Sequence, residues 1–178
     1  MGVPYVPIVG LVGTDLLARR DDMKICVDPF DGKTKTVVAK ALRPDVAIFH
    51  VQEADRDGNV STGYPSDNVI LAEASRTVIV TAERIVERVK EKTSVGTYMP
   101  GIHVDVVVHA PFGAHPAGCP GEYGPDAVHM ADYVKSSKDD KSFADYVKRV
   151  VFDVPDHEAY IERFVPKTLV KPLQAAGD

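Results

Sequence analysis

The sequence predicts an α/β fold, an open and mainly parallel sheet with flanking helices, because strand-length apolar runs alternate with segments of helical pattern. Three runs, at 46–51, 77–81 and 104–109, have the near-continuous apolar character of strands that are buried on both faces of a parallel sheet. Parallel neighbours need crossovers of the length found between these runs. A length of 178 residues suits one domain with a substantial core.

The first part of the chain predicts extended segments that are joined by turns. Residues 28–32, Asp-Pro-Phe-Asp-Gly, have the residue types of a tight turn, with a short extended segment on either side. Pro44 disfavours helix at Arg43, so the strand at 46–51 follows a second turn. The apolar start at 2–10 lacks the positive charge of a signal peptide, and we expect it to belong to the interior of a domain.

Helices are predicted on both sides of the strand at 77–81. Residues 67–75 follow Ser66, which suits an N-cap, and have a helical pattern. Residues 82–92 place Ile85, Val86 and Val89 on one face at helical spacing, which predicts a second helix.

The last third of the chain changes character. Residues 109–125 contain four glycines and four prolines, which indicates a loop with a tightly prescribed backbone path. Helical patterns follow at 126–135, 141–152 and 156–165, and the tail at 171–178 lacks periodicity and is expected to be mobile. We therefore expect an α/β core over 1–152, followed by a C-terminal helix and tail over 153–178.

Composition excludes several classes of protein. Hydrophobic residues make up 44% and charged residues 26%, and no apolar stretch approaches the roughly 20 residues that cross a bilayer. The formal charge of -5, without a dense basic run, argues against binding to nucleic acid. Cys26 and Cys119 cannot build a disulfide framework, so we expect a reducing, cytoplasmic setting.

The common nucleotide, hydrolase and zinc motifs are missing. Gly32-Lys33-Thr34 lacks the upstream glycine of a P-loop, no Gly-x-Gly-x-x-Gly follows a strand, and no serine lies in a Gly-x-Ser-x-Gly elbow. The six histidines form no His-x-x-x-His pair, so their spacing predicts no metal site. His115 and Cys119 are close enough in the loop for an imidazole–thiolate pair, although a small buried thiol is the commoner arrangement.

The most informative polar segment, 52–59, follows the predicted strand at 46–51. Open α/β sheets bind ligands outside the carboxyl ends of their strands, and this segment lies at such an end. Glu53 and Asp55 share one face in extended geometry, and 57–59 then turn the chain. The segment suits either a ligand-binding edge or a polar turn, and its spacing alone favours the turn.

Several segments in this order resemble one enzyme family. Residues 42–60, which contain His-Val-Gln-Glu-Ala-Asp-Arg-Asp-Gly-Asn, resemble the segment of family I coenzyme A transferase A subunits that ends in Ala-Asp-x-x-Gly-Asn. Residues 78–86 and the Pro-Gly-Ile-x-Val-Asp pattern from Pro100 are similar to that family again. Residues 111–116 and Tyr123-Gly-x-Asp are most similar to the glutaconate CoA-transferase A-subunit branch, whose relatives include CoA-dependent ring-opening hydrolases of steroid breakdown. The resemblance extends from about residue 9 to residue 151.

The resemblance implies a heteromeric enzyme in which A and B subunits of related open α/β fold face each other. A glutamate of the B subunit first attacks an acyl-CoA thioester to give an anhydride, and CoA thiolate converts the anhydride into a glutamyl-CoA thioester. A second carboxylate then takes over the CoA, which is a substrate, and neither a bound cofactor nor a metal is implied. The alternatives are a CoA-thioester hydrolase of the same fold and a non-catalytic binding or assembly subunit.

Two departures from the family limit what the resemblance implies. Family A subunits begin with a long further segment that carries a glycine-rich oxyanion loop, and this sequence does not match it. The sequence also lacks Ser-Glu-Asn-Gly, the B-subunit pattern that presents the nucleophile. We therefore expect the C-terminal portion of an A subunit, which is inactive without the N-terminal A-subunit segment and a B subunit, with Glu53 a weak catalytic candidate. The residues expected to line the substrate cleft or the subunit interface are Gln52, Glu53, Asp55, Asn59, Gly113, His115 and Tyr123.

Overall fold

The computed structural model describes residues 2–62, 67–90 and 96–169, which belong to two compact units, 1–44 and 45–178. Within these ranges, no helix combines the length and the apolar character needed to cross a membrane. Ser66, predicted as an N-cap, and the tail at 171–178 lie outside the described residues. The domain boundary predicted at residue 152 stays a prediction.

The first unit is built on a three-stranded antiparallel sheet. Its elements are β1 (Tyr5–Ile8), α1 (Asp15–Arg19), β2 (Met23–Val27) and β3 (Lys35–Lys40), with strand order β1-β3-β2. The predicted turn closes the β2–β3 hairpin, where the Asp28 N–H donates to the Thr34 carbonyl oxygen at 2.8 Å. Gly32 takes a positive φ of 66°, which glycine adopts at little cost. The apolar start forms the edge strand β1, whose side chains are mostly exposed.

The second unit contains a five-stranded open sheet. Its first elements are β4 (Val46–Ala54), β5 (Val60–Ser61), α2 (Asn68–Ala74), β6 (Thr77–Ile85), β7 (Tyr98–Met99) and β8 (Val106–His109), with strand order β7-β5-β4-β6-β8. The strands β4, β6 and β8 are parallel, and the short strands β5 and β7 are antiparallel to their neighbours. The predicted open α/β sheet is confirmed in a mixed form whose longest strands are parallel.

One face of this sheet carries the core. Ala47, Val51, Val78 and Val80 are buried there, with Ala72 of α2 in the same cluster. At the start of β4, the side chains on the opposite face are exposed to solvent. The exposed fraction is 50% for Val46 and 65% for Ile48. The prediction that this strand is buried on both faces is therefore wrong for the start of β4. Among the described residues, only one face of this part of the strand is covered.

The helix that was predicted from residue 82 is not present in the described residues. The strand β6 runs on to Ile85, because its ladder with β4 continues through the pairs Val51–Ala82 and Ala54–Ile85. An irregular segment follows as far as Lys90, and residues 91 and 92 lie outside the described ranges. Strand pairing overrides the helical spacing of the apolar side chains here, and it makes Glu83 a buried residue of a strand.

The helices of the last third are confirmed to within one residue. They are α3 (Ala127–Ser136), α4 (Asp140–Val147), which continues as a π-helical stretch (Lys148–Phe152), and α5 (His157–Phe164). Each α-helix starts after an aspartate whose carboxylate accepts backbone N–H groups of the first turn, namely Asp126, Asp139 and Asp156. The predicted loop between β8 and α3 is confirmed as well.

Candidate active site

A buried carboxylate, Glu83, is the centre of a polar cluster near the carboxyl ends of β4 and β6. Its Oε1 atom accepts hydrogen bonds from the Tyr123 hydroxyl and from His50 Nε2, both at 2.6 Å. Its Oε2 atom accepts the backbone N–H of Phe112 at 2.7 Å. His50 Nδ1 lies 2.8 Å from the Thr81 hydroxyl oxygen. Both ring nitrogens of His50 therefore have a hydrogen-bond partner, and Nε2 is the donor to the carboxylate.

The surroundings of Glu83 keep it ionised and keep its neighbours protonated. Burial opposes the charge of Glu83, but the hydrogen bonds from His50, Tyr123 and Phe112 hold its pKa below the usual value. Burial and the adjacent Glu83 carboxylate raise the pKa of Tyr123. Burial, with the charges of Glu83 and Glu122, raises the pKa of Cys119 to about 12. Cys119 is therefore a protonated thiol at neutral pH and is unsuited to the nucleophile that its sequence neighbourhood allowed.

Gly113 brings the loop after β8 into direct contact with the cluster. A Cβ atom at this position would lie 2.7 Å from His50 Cε1 and 2.8 Å from the carbonyl oxygen of Ala110. Such distances are far below van der Waals contact, so a side chain cannot be added without displacing the imidazole or the backbone. Glycine is therefore required here by the close approach of the loop to β4.

The backbone amides of this loop are directed into the protein. The N–H of Phe112 binds Glu83, the N–H of Gly113 binds the Ala110 carbonyl oxygen, and the N–H of Ala114 binds the Tyr123 hydroxyl. Phe112 itself has a positive φ of 58°, which the surrounding hydrogen bonds hold in place. Because these N–H groups already have acceptors, this stretch forms a rigid wall and does not offer an oxyanion hole.

Gln52 and Glu53 occupy different positions at the end of β4. Gln52 is buried, and its Nε2 donates to the carbonyl oxygen of Pro120 at 3.1 Å, which ties the strand to the loop. Its Oε1 has no hydrogen-bond partner among the described residues. Glu53 is more exposed and accepts a hydrogen bond from Arg84 at 2.8 Å, while Arg84 also contacts Glu122. Glu53 is thus held in an ion pair at the rim of the cluster.

Asp55 and Asn59 form the turn that follows β4. Burial opposes the charge of Asp55, but hydrogen bonds from the Val89 N–H and from the N–H and side-chain amide of Asn59 lower its pKa. The Asn59 side-chain carbonyl oxygen accepts the Tyr98 hydroxyl and the Gly101 N–H, both at 2.9 Å. The polar atoms of this turn are engaged within the fold, which supports the simpler interpretation of the segment as a polar turn.

The structure brings together only part of the predicted set. Gly113 and Tyr123 meet at Glu83, and Gln52 reaches the same loop through Pro120. His115 lies elsewhere, hydrogen-bonded to Asp126 and Tyr160, and does not pair with Cys119 among the described contacts.

Sequence reasoning missed His50, Thr81 and Glu83, which make the cluster. A signal was present, since His50 and Thr81 are polar interruptions in apolar strands and Glu83 follows Thr81 by two residues, on the same face of β6. The helix predicted from residue 82 concealed this alternation.

The fold and the cluster define an open-sheet α/β protein with a buried carboxylate, imidazole and phenol near the carboxyl ends of adjacent parallel strands. Residues 1–110 match the family model described as coenzyme A transferase, and the chain belongs to this family. This match confirms the family that the sequence segments suggested.

Individual relatives are similar over nearly the whole chain. The A subunit of glutaconate CoA-transferase from Acidaminococcus fermentans is 33% identical over 188 residues, which cover 96% of this chain and 58% of that protein. The crystal structure of glutaconate coenzyme A-transferase from this organism matches with a TM-score of 0.86 at 32% identity, over 94% of this chain and 58% of that chain. The cholesterol ring-cleaving hydrolase IpdA subunit of Rhodococcus jostii is 29% identical over 91% of this chain and 58% of that protein. The chain therefore spans less than two thirds of the length of these relatives.

Proposed function

We propose that this chain is the A-subunit component of a heteromeric, cytoplasmic CoA-transferase that moves CoA between an acyl-CoA and a carboxylate. Membership of the family and similarity to the A subunit of a glutaconate CoA-transferase support the proposal. The observation that carries the assignment of roles to the two subunits is the hydrogen bonding of the two acidic side chains near the strand ends. Glu83 accepts three hydrogen bonds in a buried cluster, and Glu53 is paired with Arg84. Because neither is a free carboxylate, we assign the nucleophilic glutamate to the B subunit, as the resemblance to the family implies.

The proposed reaction proceeds by covalent catalysis on that glutamate. A carboxylate oxygen attacks the thioester carbonyl carbon, and the carbon–sulfur bond breaks to release CoA thiolate and leave an acyl-glutamyl anhydride. The thiolate attacks the glutamyl carbonyl of the anhydride, which forms the glutamyl-CoA thioester and releases the first acyl group as a carboxylate. The second carboxylate reverses the two steps and leaves with the CoA. Every step exchanges one acyl bond for another, so no oxidant or reductant takes part.

The role of this chain in the proposed enzyme is to shape the cleft or the subunit interface. The wall at Gly113, held by Tyr123 and Glu83, is fixed by hydrogen bonds, and so are the buried Gln52 and the rim residue Glu53. Fixed walls position a substrate without reorganisation during the reaction. Asp55 and Asn59 support this edge from the following turn, and His115 is assigned to the same lining set by sequence position only.

Two other functions are supported by specific observations. The relative from Rhodococcus jostii is named as a hydrolase, and the alternative for this chain is a CoA-thioester hydrolase of the same fold, in which water replaces the second carboxylate at the acyl intermediate. The hydrogen bonds that hold Glu53 and Glu83 in place also suit a non-catalytic binding or assembly subunit. The three functions differ in what happens to the CoA.

Co-purification of the chain from its native source, followed by a panel of acyl-CoA substrates with and without acetate, separates the three functions. A transferase forms acetyl-CoA only when acetate is present, a hydrolase releases free CoA thiol in either case, and an assembly subunit forms a complex without turnover. The isolated chain should show no transfer. Transfer to acetate by the isolated chain would contradict the assignment of the nucleophile to the B subunit.

A further inference from the structure

A second polar cluster, formed by His115, Asp126 and His129, lies outside the Glu83 cluster. All three residues are buried, with relative exposures of 9%, 8% and 9%. One nitrogen or oxygen atom of each lies within 4.8 Å of the corresponding atoms of the other two. We infer that these three side chains form a binding site for one divalent metal ion of the zinc class.

The donor set and its spacing fit such an ion. Two imidazole nitrogens and one carboxylate oxygen are ligands that Zn²⁺ and Co²⁺ accept in sites that keep one position open. Two ligands at the usual zinc bond lengths are about 3.3 Å apart in tetrahedral geometry. His115 Nε2 and Asp126 Oδ2 are already 3.2 Å apart. His129 offers the third ligand atom, which lies within 4.8 Å of the other two.

Each imidazole is oriented by a tyrosine hydroxyl on one of its nitrogens. His115 Nδ1 lies 2.8 Å from the Tyr160 hydroxyl oxygen, and His129 Nε2 lies 2.9 Å from that of Tyr146. Metal-binding histidines usually hold the nitrogen away from the metal in such a bond, which fixes the ring and the tautomer. The arrangement leaves Nε2 of His115 and Nδ1 of His129 to bind the ion.

The two oxygens of the Asp126 carboxylate also have different partners. Its Oδ1 atom accepts the N–H groups of Val128 and His129, both at 3.0 Å, as the N-cap of α3. Its Oδ2 atom faces His115 and has no other hydrogen-bond partner among the described residues. A bound ion therefore replaces one shared proton and leaves the helix cap unchanged.

The cluster has a route to solvent and room for a fourth ligand. His115 and His129 line a cavity of about 960 Å³ whose walls are otherwise largely apolar and aromatic. A water molecule or a small anion can complete the coordination from this side.

The Glu83 cluster is the less suitable of the two candidate metal sites. His50, Glu83 and Cys119 also lie within 4.8 Å of one another. Both oxygens of Glu83, however, already accept short hydrogen bonds from three donors, and one of these is a backbone N–H that cannot move away. Metal binding there would leave buried donors without acceptors.

The test is a titration of the tag-free chain with Zn²⁺ by calorimetry and with Co²⁺ by visible absorption. We expect one ion per chain and the intense d–d bands of four-coordinate Co²⁺. His115→Gln and Asp126→Asn should weaken binding at least about tenfold, and Tyr160→Phe about 10- to 100-fold. Asp126→Asn keeps an oxygen for the helix cap. His157→Gln is the matched control, since His157 lines the same cavity and binds the Pro111 carbonyl oxygen.

Histidine ring nitrogen NMR of the unaltered chain provides a readout that does not depend on variants. Zn²⁺ should shift the ring signals of His115 and His129 and leave those of His50 and His157 in place. The absence of saturable binding, undiminished affinity in a folded Asp126→Asn chain, or shifts confined to other histidines would each overturn the metal site. None of these results bears on the CoA-transferase proposal, because they measure metal binding and not CoA transfer.

Discussion

The hydrogen bonds around Glu83 make Glu83→Gln a sensitive test of the candidate site. The amide oxygen of glutamine can still accept from Tyr123 and His50, as Glu83 Oε1 does. The amide nitrogen, however, places a donor against the N–H of Phe112, which now binds Glu83 Oε2 at 2.7 Å. Two donors then face each other in a buried position.

The magnitude follows from these contacts. A buried donor without an acceptor costs about 1–3 kcal/mol, and two hydrogen bonds to a charged acceptor weaken to neutral ones at about 0.5–1 kcal/mol each. The free energy of unfolding should therefore fall by about 2–5 kcal/mol. Urea unfolding should show a lower midpoint with an unchanged slope, because the surface exposed on unfolding does not change.

A matched control is Glu122→Gln, which removes a partly exposed ion pair with Arg84 and should cost less than about 1 kcal/mol. A change at Glu83 that is no larger than the change at Glu122 would refute the central role of the Glu83 hydrogen bonds.

We also expect the effect of Glu83→Gln on the free energy of unfolding to depend on pH. Hydrogen bonds lower the pKa of Glu83 in the folded state, so its carboxylate stabilises the fold above the unfolded-state pKa of about 4.3. This contribution is lost as the pH falls through the lower folded-state value. The stability difference between the unaltered chain and Glu83→Gln should thus be constant near neutral pH and shrink below about pH 4. A difference that grows as the pH falls would contradict the assigned direction.

Three further changes test the site. Gly113→Ala should lower the free energy of unfolding in urea by about 1–3 kcal/mol, since its Cβ would meet His50 and Ala110. Gly124→Ala is the control and should be close to neutral, because a Cβ there would have nothing within 4 Å. Equal effects of the two substitutions would contradict the close contact at Gly113. Glu53→Gln, in the proposed complex with a B subunit, should keep kcat/KM within about tenfold. A loss as deep as that caused by deleting the proposed B-subunit nucleophile would make Glu53 catalytic. Iodoacetamide at neutral pH should label the exposed Cys26 and spare Cys119, whose pKa is about 12, as read by peptide mass spectrometry; rapid labelling of Cys119 in the folded chain would show that its thiol is neither buried nor protonated.

The strands and the late helices could be predicted because local chemistry and tertiary structure agree there. Asp126, Asp139 and Asp156 stand where helices need N-caps, and the α3, α4 and α5 boundaries follow. Residues 82–92 show the opposite case, because the apolar spacing is helical while the ladder with β4 keeps the chain extended to Ile85. Pairing between strands about 30 residues apart leaves no mark in an 11-residue window.

The polar clusters could be predicted less well than the fold. The segment at 52–59 can be recognised from its position at a strand end, but the polar atoms of Asp55 and Asn59 make hydrogen bonds within the turn. The centre of the cluster, Glu83, lies on the neighbouring parallel strand. His115 was recognisable as unusual, yet its neighbours Asp126 and His129 are 11 and 14 residues away along the chain. Only the path of the loop through Gly113 and its successors brings them together, and residue spacing does not encode that path.

The Glu83 hydrogen bonds also have a consequence for folding order. They join residues that are 29, 33 and 40 positions apart, so they can form only after the parallel strands and the loop beyond them have assembled. The Phe112 amide proton is enclosed by that arrangement, and it should exchange with solvent only when this arrangement opens. Its exchange rate would then report the free energy of opening the Glu83 cluster, from a single backbone atom in a loop.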